Sequence, residues 1–199
     1  MARKKEIRRQ QILDVAYKLA LRDGVKSLTA RNIAQVGKFS TQPIYLEFSN
    51  MADLRKQVLR IMATNLRKEI SSKAYIGKAL VDLDLAYVEF AQEEYDAFKA
   101  MFTDGKLASK ILSSTLMKLG IECFYKQYQN VDVDDEKIEL VIMANWIAAT
   151  GIASLVVNRV ATFTQEQMVD VFEKQIEESL ENKDLSYVKQ NPMFIVAEE

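Results

Sequence analysis

The chain has no histidine, one cysteine, two prolines and six glycines among its 199 residues. Each scarcity closes off a class of protein. Without histidine there is no imidazole to serve as general base or metal ligand, and the lone Cys123 has no identifiable base beside it. No glycine-rich phosphate loop is present. Catalysis therefore has few candidates, and no cofactor or metal is implied. One thiol cannot close an internal disulfide, so a reducing, cytoplasmic setting is expected. So few glycines and prolines leave too few turns for an all-β design, and long helices become the default.

Long uninterrupted apolar runs are also lacking. The most apolar stretch, "VIMANWIAATGIASLVV" (141–157), is broken by Asn145, Thr150, Gly151 and Ser154, and it reads as falling short of a membrane span. The start, "MARKKEIRRQ", is basic but has no apolar signal region behind it. No membrane partner is expected. The acidic "DVDDEK" (132–137) lacks the glycine and distal glutamate of a calcium loop and reads as a helix start.

What is present is core, with 49% hydrophobic residues, and surface, with 28% charged ones. The charge is unevenly placed. Residues 1–60 hold 13 Lys/Arg against 5 Asp/Glu, a net of +8, while residues 61–199 hold 14 against 23, a net of −9. A nucleic-acid-binding head on an acidic body has this asymmetry, and so does a chance split.

Helical spacing recurs along the chain. Ile12, Ala16 and Leu19, widened by Leu13 and Ala20, predict a helix over 4–22, closed by Gly24 in a left-handed cap. Thr29 is the expected N-cap of a second helix reaching Val36 and ended by Gly37. A third starts with Ser40 as N-cap, so that Pro43 falls in the first turn, where its missing N–H costs no internal bond. Further patterns predict helices from Asn50 to about Lys73, through Leu80–Phe90, through Phe98–Phe102, from Leu112 to about Gln129, over 135–158, and through Val169–Leu180. The segment 184–199 shows no period and reads as a tail. The fold class is all-α with about nine helices. It divides into a three-helix domain over 1–48, a helical bundle over 49–183 and the tail.

The second and third helices, within "LTARNIAQVGKFSTQPIYLEF", fit a helix-turn-helix. Ala34 supplies the small residue where the two helices cross, and Gly37 the bend. Thr41, Gln42 and Tyr45 share one polar face, while Ile33, Ile44 and Phe48 face inward. Residues 8–54 resemble the DNA-binding domain of the TetR/AcrR family of bacterial transcriptional regulators. The resemblance is carried by Ile12, Ala16, Gly24, "LTARNIA", Gly37 and the spacing of Ser40, Tyr45 and Phe48. "FKAMF" (98–102) and "WIAATGIASL" (146–155) look like motifs of one branch.

The resemblance implies a homodimeric repressor, bound to a pseudo-palindromic duplex and released when a small molecule of unknown identity enters the C-terminal domain. It also implies that Thr29 and Tyr45 hold phosphates and that Thr41 and Gln42 touch bases. Gln42 suits adenine, and Thr41 and the Pro43 ring suit a thymine methyl. Arg31 and Ser40 complete the candidate DNA surface, and "RKK" at 3–5 fits either a minor-groove arm or a solvated terminus. Two positions depart from the family pattern: Met51 stands where lysine is common, and Thr150 where histidine precedes glycine.

In the bundle, Phe98, Met101, Phe102, Cys123 and Trp146 are candidates for a ligand cavity or for plain core. Thr150, Gly151, Ser154 and Asn158 form a small polar stripe that suits a dimer seam or a close crossing within the chain. Phe172 and Ile176 on the last helix are assigned to the same seam. A helical adaptor that binds protein through its acidic bundle is the alternative reading, and it leaves the +8 of the first 60 residues unexplained.

Overall fold

The computed structural model describes residues 7–103, 106–129 and 131–181. These form nine α-helices and one short 3-10 turn, with no strand among the described residues. The basic residues 3–5 and the tail 184–199 lie outside the described residues. The helices are α1 (Arg9–Asp23), α2 (Ala30–Gly37), α3 (Gln42–Glu47), α4 (Met51–Ser71), α5 (Ala79–Glu93), α6 (Tyr95–Thr103), α7 (Lys106–Gln127), α8 (Asp135–Val157) and α9 (Gln165–Glu181). The all-α expectation holds.

The chain divides into two compact units. One runs to Asn65 and includes Asp96–Ile111, and the other takes Leu66–Tyr95 and everything from Leu112 on. In the first, α1 packs on α2 and α3. Ile12, Ala16, Ile33, Ala34, Ile44 and Phe48 are all buried, as their spacing predicts. Residues 7 and 8 precede α1 without helical structure, and the first turn starts only at Arg9. Gly24 follows α1 with φ 80° and ψ 162°, so its positive φ is used, but in an extended rather than a left-handed helical cap. The start of α4 is held reciprocally. Asn50 accepts from the Asp53 N–H at 2.9 Å, and Asp53 accepts from the Ser49 N–H at 3.4 Å.

In the second unit, α8 packs on both α5 and α9. Asp134 caps α8 by accepting from the Lys137 N–H at 2.7 Å, which makes the acidic connector a helix start. The whole of α8 corrects the reading of its apolar run. Its 23 residues, with mean hydropathy 2.0 over the most apolar window, are long and apolar enough to cross a membrane. Half of that window is buried inside the protein, as in a core helix. Asp82 clasps the loop before α5, its carboxylate accepting from the N–H groups of Tyr75, Ile76 and Gly77 at 3.1, 2.8 and 3.1 Å.

Candidate nucleic-acid interface

The site begins at the entry to α2. Thr29 is its N-cap, accepting from the Asn32 N–H at 3.1 Å, while Asn32 donates its own amide to the Ser27 carbonyl at 2.8 Å. The cap uses Thr29 only as an acceptor, so its hydroxyl proton remains for an outside oxygen. Thr29 and Arg31 are both exposed.

The bend between α2 and α3 differs from the expected one. The left-handed residue is Lys38, with φ 56° and ψ 42°, and not Gly37, which is the last residue of α2. Position 37 is instead tight: a Cβ there would lie 2.0 Å from Cε1 of Phe39, so a larger residue would have to displace that ring. The helix after the bend also starts one residue late. Thr41, already at helical φ −71° and ψ −18°, takes the cap position expected of Ser40, and its carbonyl accepts from the Ile44 N–H at 3.1 Å. Pro43 therefore occupies the second helical position, where no internal bond is lost.

The result is a six-residue helix with two unlike sides. Ile44 and Phe48 are buried, while Thr41, Gln42 and Tyr45 are exposed and Pro43 is half-buried. Tyr45 is 63% exposed. Leu46, which the sequence reading passed over, is 77% exposed and lies one turn from Gln42 on the same ridge. A leucine in an apolar-rich segment reads as core, and only its offset from Ile44 and Phe48 hints otherwise.

Two arginines in the basic segment are committed to structure. Arg9 stacks 4.3 Å above the Phe48 ring and donates to the Glu47 carbonyl, holding α1 against the end of α3. Arg55 forks onto the Leu28 carbonyl at 3.0 and 2.8 Å, fastening α4 to the loop before α2. Met51, at the first position of α4, is half-buried.

The candidate ligand residues fall in both units. Phe98 and Met101 are buried in α6 of the first, with Phe102 half-buried and stacked on Phe98 at 4.4 Å between centroids. A cavity of about 240 Å³ in that unit is lined instead by Leu21–Gly24 with Asp96, Lys99 and Ala100. Cys123 and Trp146, in the second unit, are half-buried, and burial pushes the Cys123 thiol up to about 11.

Beside them lies a polar cluster that the sequence reading missed. Asp84 on α5 is 5% exposed and accepts from the side-chain amide of Asn145 on α8, itself 2% exposed. Burial pushes the Asp84 carboxyl well above the usual aspartate range, and the Asn145 bond offsets part of that. Its signal was available: Asp84 shares a helical face with Leu80, Tyr87 and Val88, all buried.

On α8, Gly151, Ser154 and Asn158 are exposed, and Thr150 is half-buried with its hydroxyl 3.3 Å from that of Tyr87. Nothing among the described residues lies within 4 Å of a Cβ built on Gly151, so none of them makes a close crossing there. Phe172 and Ile176 require correction. They are 0% and 2% exposed, and form core of their own unit rather than a seam open to a second copy.

No family model and no curated protein matches the chain in sequence. Solved structures match it in shape. A protein described as a transcriptional regulator from Pseudomonas aeruginosa PAO1 superposes with a TM-score of 0.63 at 15% identity, covering 88% of this chain and 91% of its own. A TetR-family regulator from Vibrio parahaemolyticus gives 0.60 at 15% identity, over 85% and 96%. The fold is TetR-like. The flavonoid-responsive regulator FrrA shares this TetR-like fold at 0.62 and 15% identity, over 86% and 94%.

Proposed function

We propose that this chain is a transcriptional regulator that binds double-stranded DNA as a homodimer and leaves it when a small-molecule effector binds. The observation that carries the reading is α3, a proline-tolerant helix whose exposed side presents Thr41, Gln42 and Tyr45 from a segment of net charge +8. The reading gives each group a task. Gln42 is the bidentate reader of an adenine, Thr41 and the Pro43 ring meet a thymine methyl, and Thr29, Arg31, Ser40 and Tyr45 hold backbone oxygens.

Pairing of two copies would set their two α3 helices in successive major grooves of a near-palindrome, about 34–36 Å apart. The exposed Ile147, Gly151, Ser154 and Leu155, at helical spacing on α8, support a seam there. Effector control follows if the ligand binds one arrangement of the dimer better than the other, by its differential affinity alone. The responsiveness named for FrrA lends support to this part.

Footprinting of the purified protein on the DNA upstream of its own gene tests the reading. A protected near-palindrome is expected, with affinity falling steeply as salt rises. No retention on heparin or duplex at low salt, with the fold intact, overturns it in favour of the adaptor.

A further inference from the structure

The bend between α2 and α3 places a lysine where the backbone favours glycine. Lys38 has φ 56° and ψ 42°, a left-handed conformation that crowds a Cβ and that glycine adopts freely. Among the described residues, Lys38 and Arg159 alone combine a positive φ with a side chain. The bend makes no use of that side chain. Backbone alone closes it, the Lys38 N–H donating to the Gln35 carbonyl at 3.4 Å and the Phe39 N–H to the Ala34 carbonyl at 3.0 Å. Lys38 is exposed and forms no ion pair among the described residues, whereas Arg9, Arg22 and Arg55 each hold a partner within the protein. The surroundings are free of acid. Residues 24–46 contain no Asp or Glu and three exposed cations, Lys26, Arg31 and Lys38. A strained residue with no structural task is a pointer to function.

We propose that Lys38 is a further DNA contact, its ammonium closing on a backbone phosphate at the edge of the groove that α3 enters. This assignment rests on the function proposed above. Lys38 stands three residues ahead of Thr41, at most about 11 Å away even along an extended chain. The major groove is about 12 Å wide, so a group just ahead of a helix lying in it meets the phosphates on its wall rather than base edges. Lysine brings a compact point charge suited to one phosphate oxygen, without the planar fork that reads a base. The contact is therefore blind to sequence and supplies affinity and register. A glycine at 38 would relax the bend but displace no counterion from the duplex. The left-handed lysine trades stability of the head for hold on DNA.

The test compares Lys38→Gly, Lys38→Gln and Lys38→Arg in the full chain, with Lys18→Gln on the exposed side of α1 as the control for net charge. The probes are the footprinted segment upstream of its own gene and a random-sequence duplex, each titrated from 50 to 200 mM salt. Lys38→Gly and Lys38→Gln should weaken both duplexes alike and lower the slope of log affinity on log salt by about 1 per copy. Lys38→Arg and Lys18→Gln should keep the wild-type slope. Lys38→Gly should also raise the Tm by about 2–4 °C, while Lys38→Gln, equally strained, stays near the wild type. An unchanged slope in Lys38→Gly, or an equal fall in Lys18→Gln, overturns the proposal and leaves DNA binding standing. A lower Tm in Lys38→Gly removes its premise of a strained bend. A folded wild type that binds neither duplex overturns the function proposed above, and this contact with it.

Discussion

Tyr45 and Leu46 are neighbours on α3 with opposite chemistry, and the proposed function gives them different failures. Tyr45→Phe removes one hydroxyl donor to a phosphate from each copy, about 1 kcal/mol apiece, so operator and random duplex should weaken alike by about thirtyfold in gel shift. Gln42→Ala should instead change which base is preferred, at about 1–3 kcal/mol of discrimination. Leu46, on the Gln42 ridge and 77% exposed, is suited to a thymine methyl. Replacing thymine by deoxyuridine at one position per half-site should then weaken the wild type and leave Leu46→Ala indifferent. Asp84 yields a prediction that needs no DNA. Its folded titration lies above the ordinary aspartate value near 3.8, so the folded chain holds a proton that the unfolded chain has lost. Stability from this group is present in full at low pH and is lost as pH rises through that window. Denaturation at pH values rising from the ordinary aspartate value should show Asp84→Asn losing less stability than the wild type, by up to about 1.4 kcal/mol per pH unit.

Elements whose apolar residues repeat cleanly were legible in sequence, as the burial of Ile12, Ala16 and Leu19 in α1 and of Leu54, Val58 and Leu66 in α4 demonstrates. Their ends were less so. Gly37 read as a conformational hinge because glycine usually serves there, yet the left-handed residue is Lys38, and position 37 is small to admit the Phe39 ring. That distinction depends on a side chain two residues away, which no local propensity encodes. A similar contact governs α7 and α8, where a Cβ on Gly120 would lie 2.5 Å from Cγ2 of Ile142. Gly120→Ala should cost about 1–3 kcal/mol by chemical denaturation, and in that background Ile142→Ala, which removes the clashing Cγ2, should cost less than it does in the wild type. Additive effects of the two substitutions would show that the helices do not touch there as described.

At the scale of the whole chain, helix order and the resemblance of residues 8–54 point to the fold, but periodicity names a buried face without naming what covers it. Spacing alone thus assigns Phe172 and Ile176 to a seam between copies when their own unit covers them, and it says nothing of Asp84, which neighbours at helical spacing bury. The exposed side of α8 is the seam proposed above. Gly151→Lys should shift the protein from dimer to monomer in light scattering at micromolar concentration and weaken operator binding with it. If the variant stays dimeric, the seam lies elsewhere.

The solitary carboxyl between α5 and α8 also bears on how this protein could be engineered. A buried acid lacking a cation is a standing burden on the folded state, so a screen for heat resistance alone would favour leucine or methionine at that place. The hardier variants from such a screen would also give up the bond that ties α5 to α8 at Asn145.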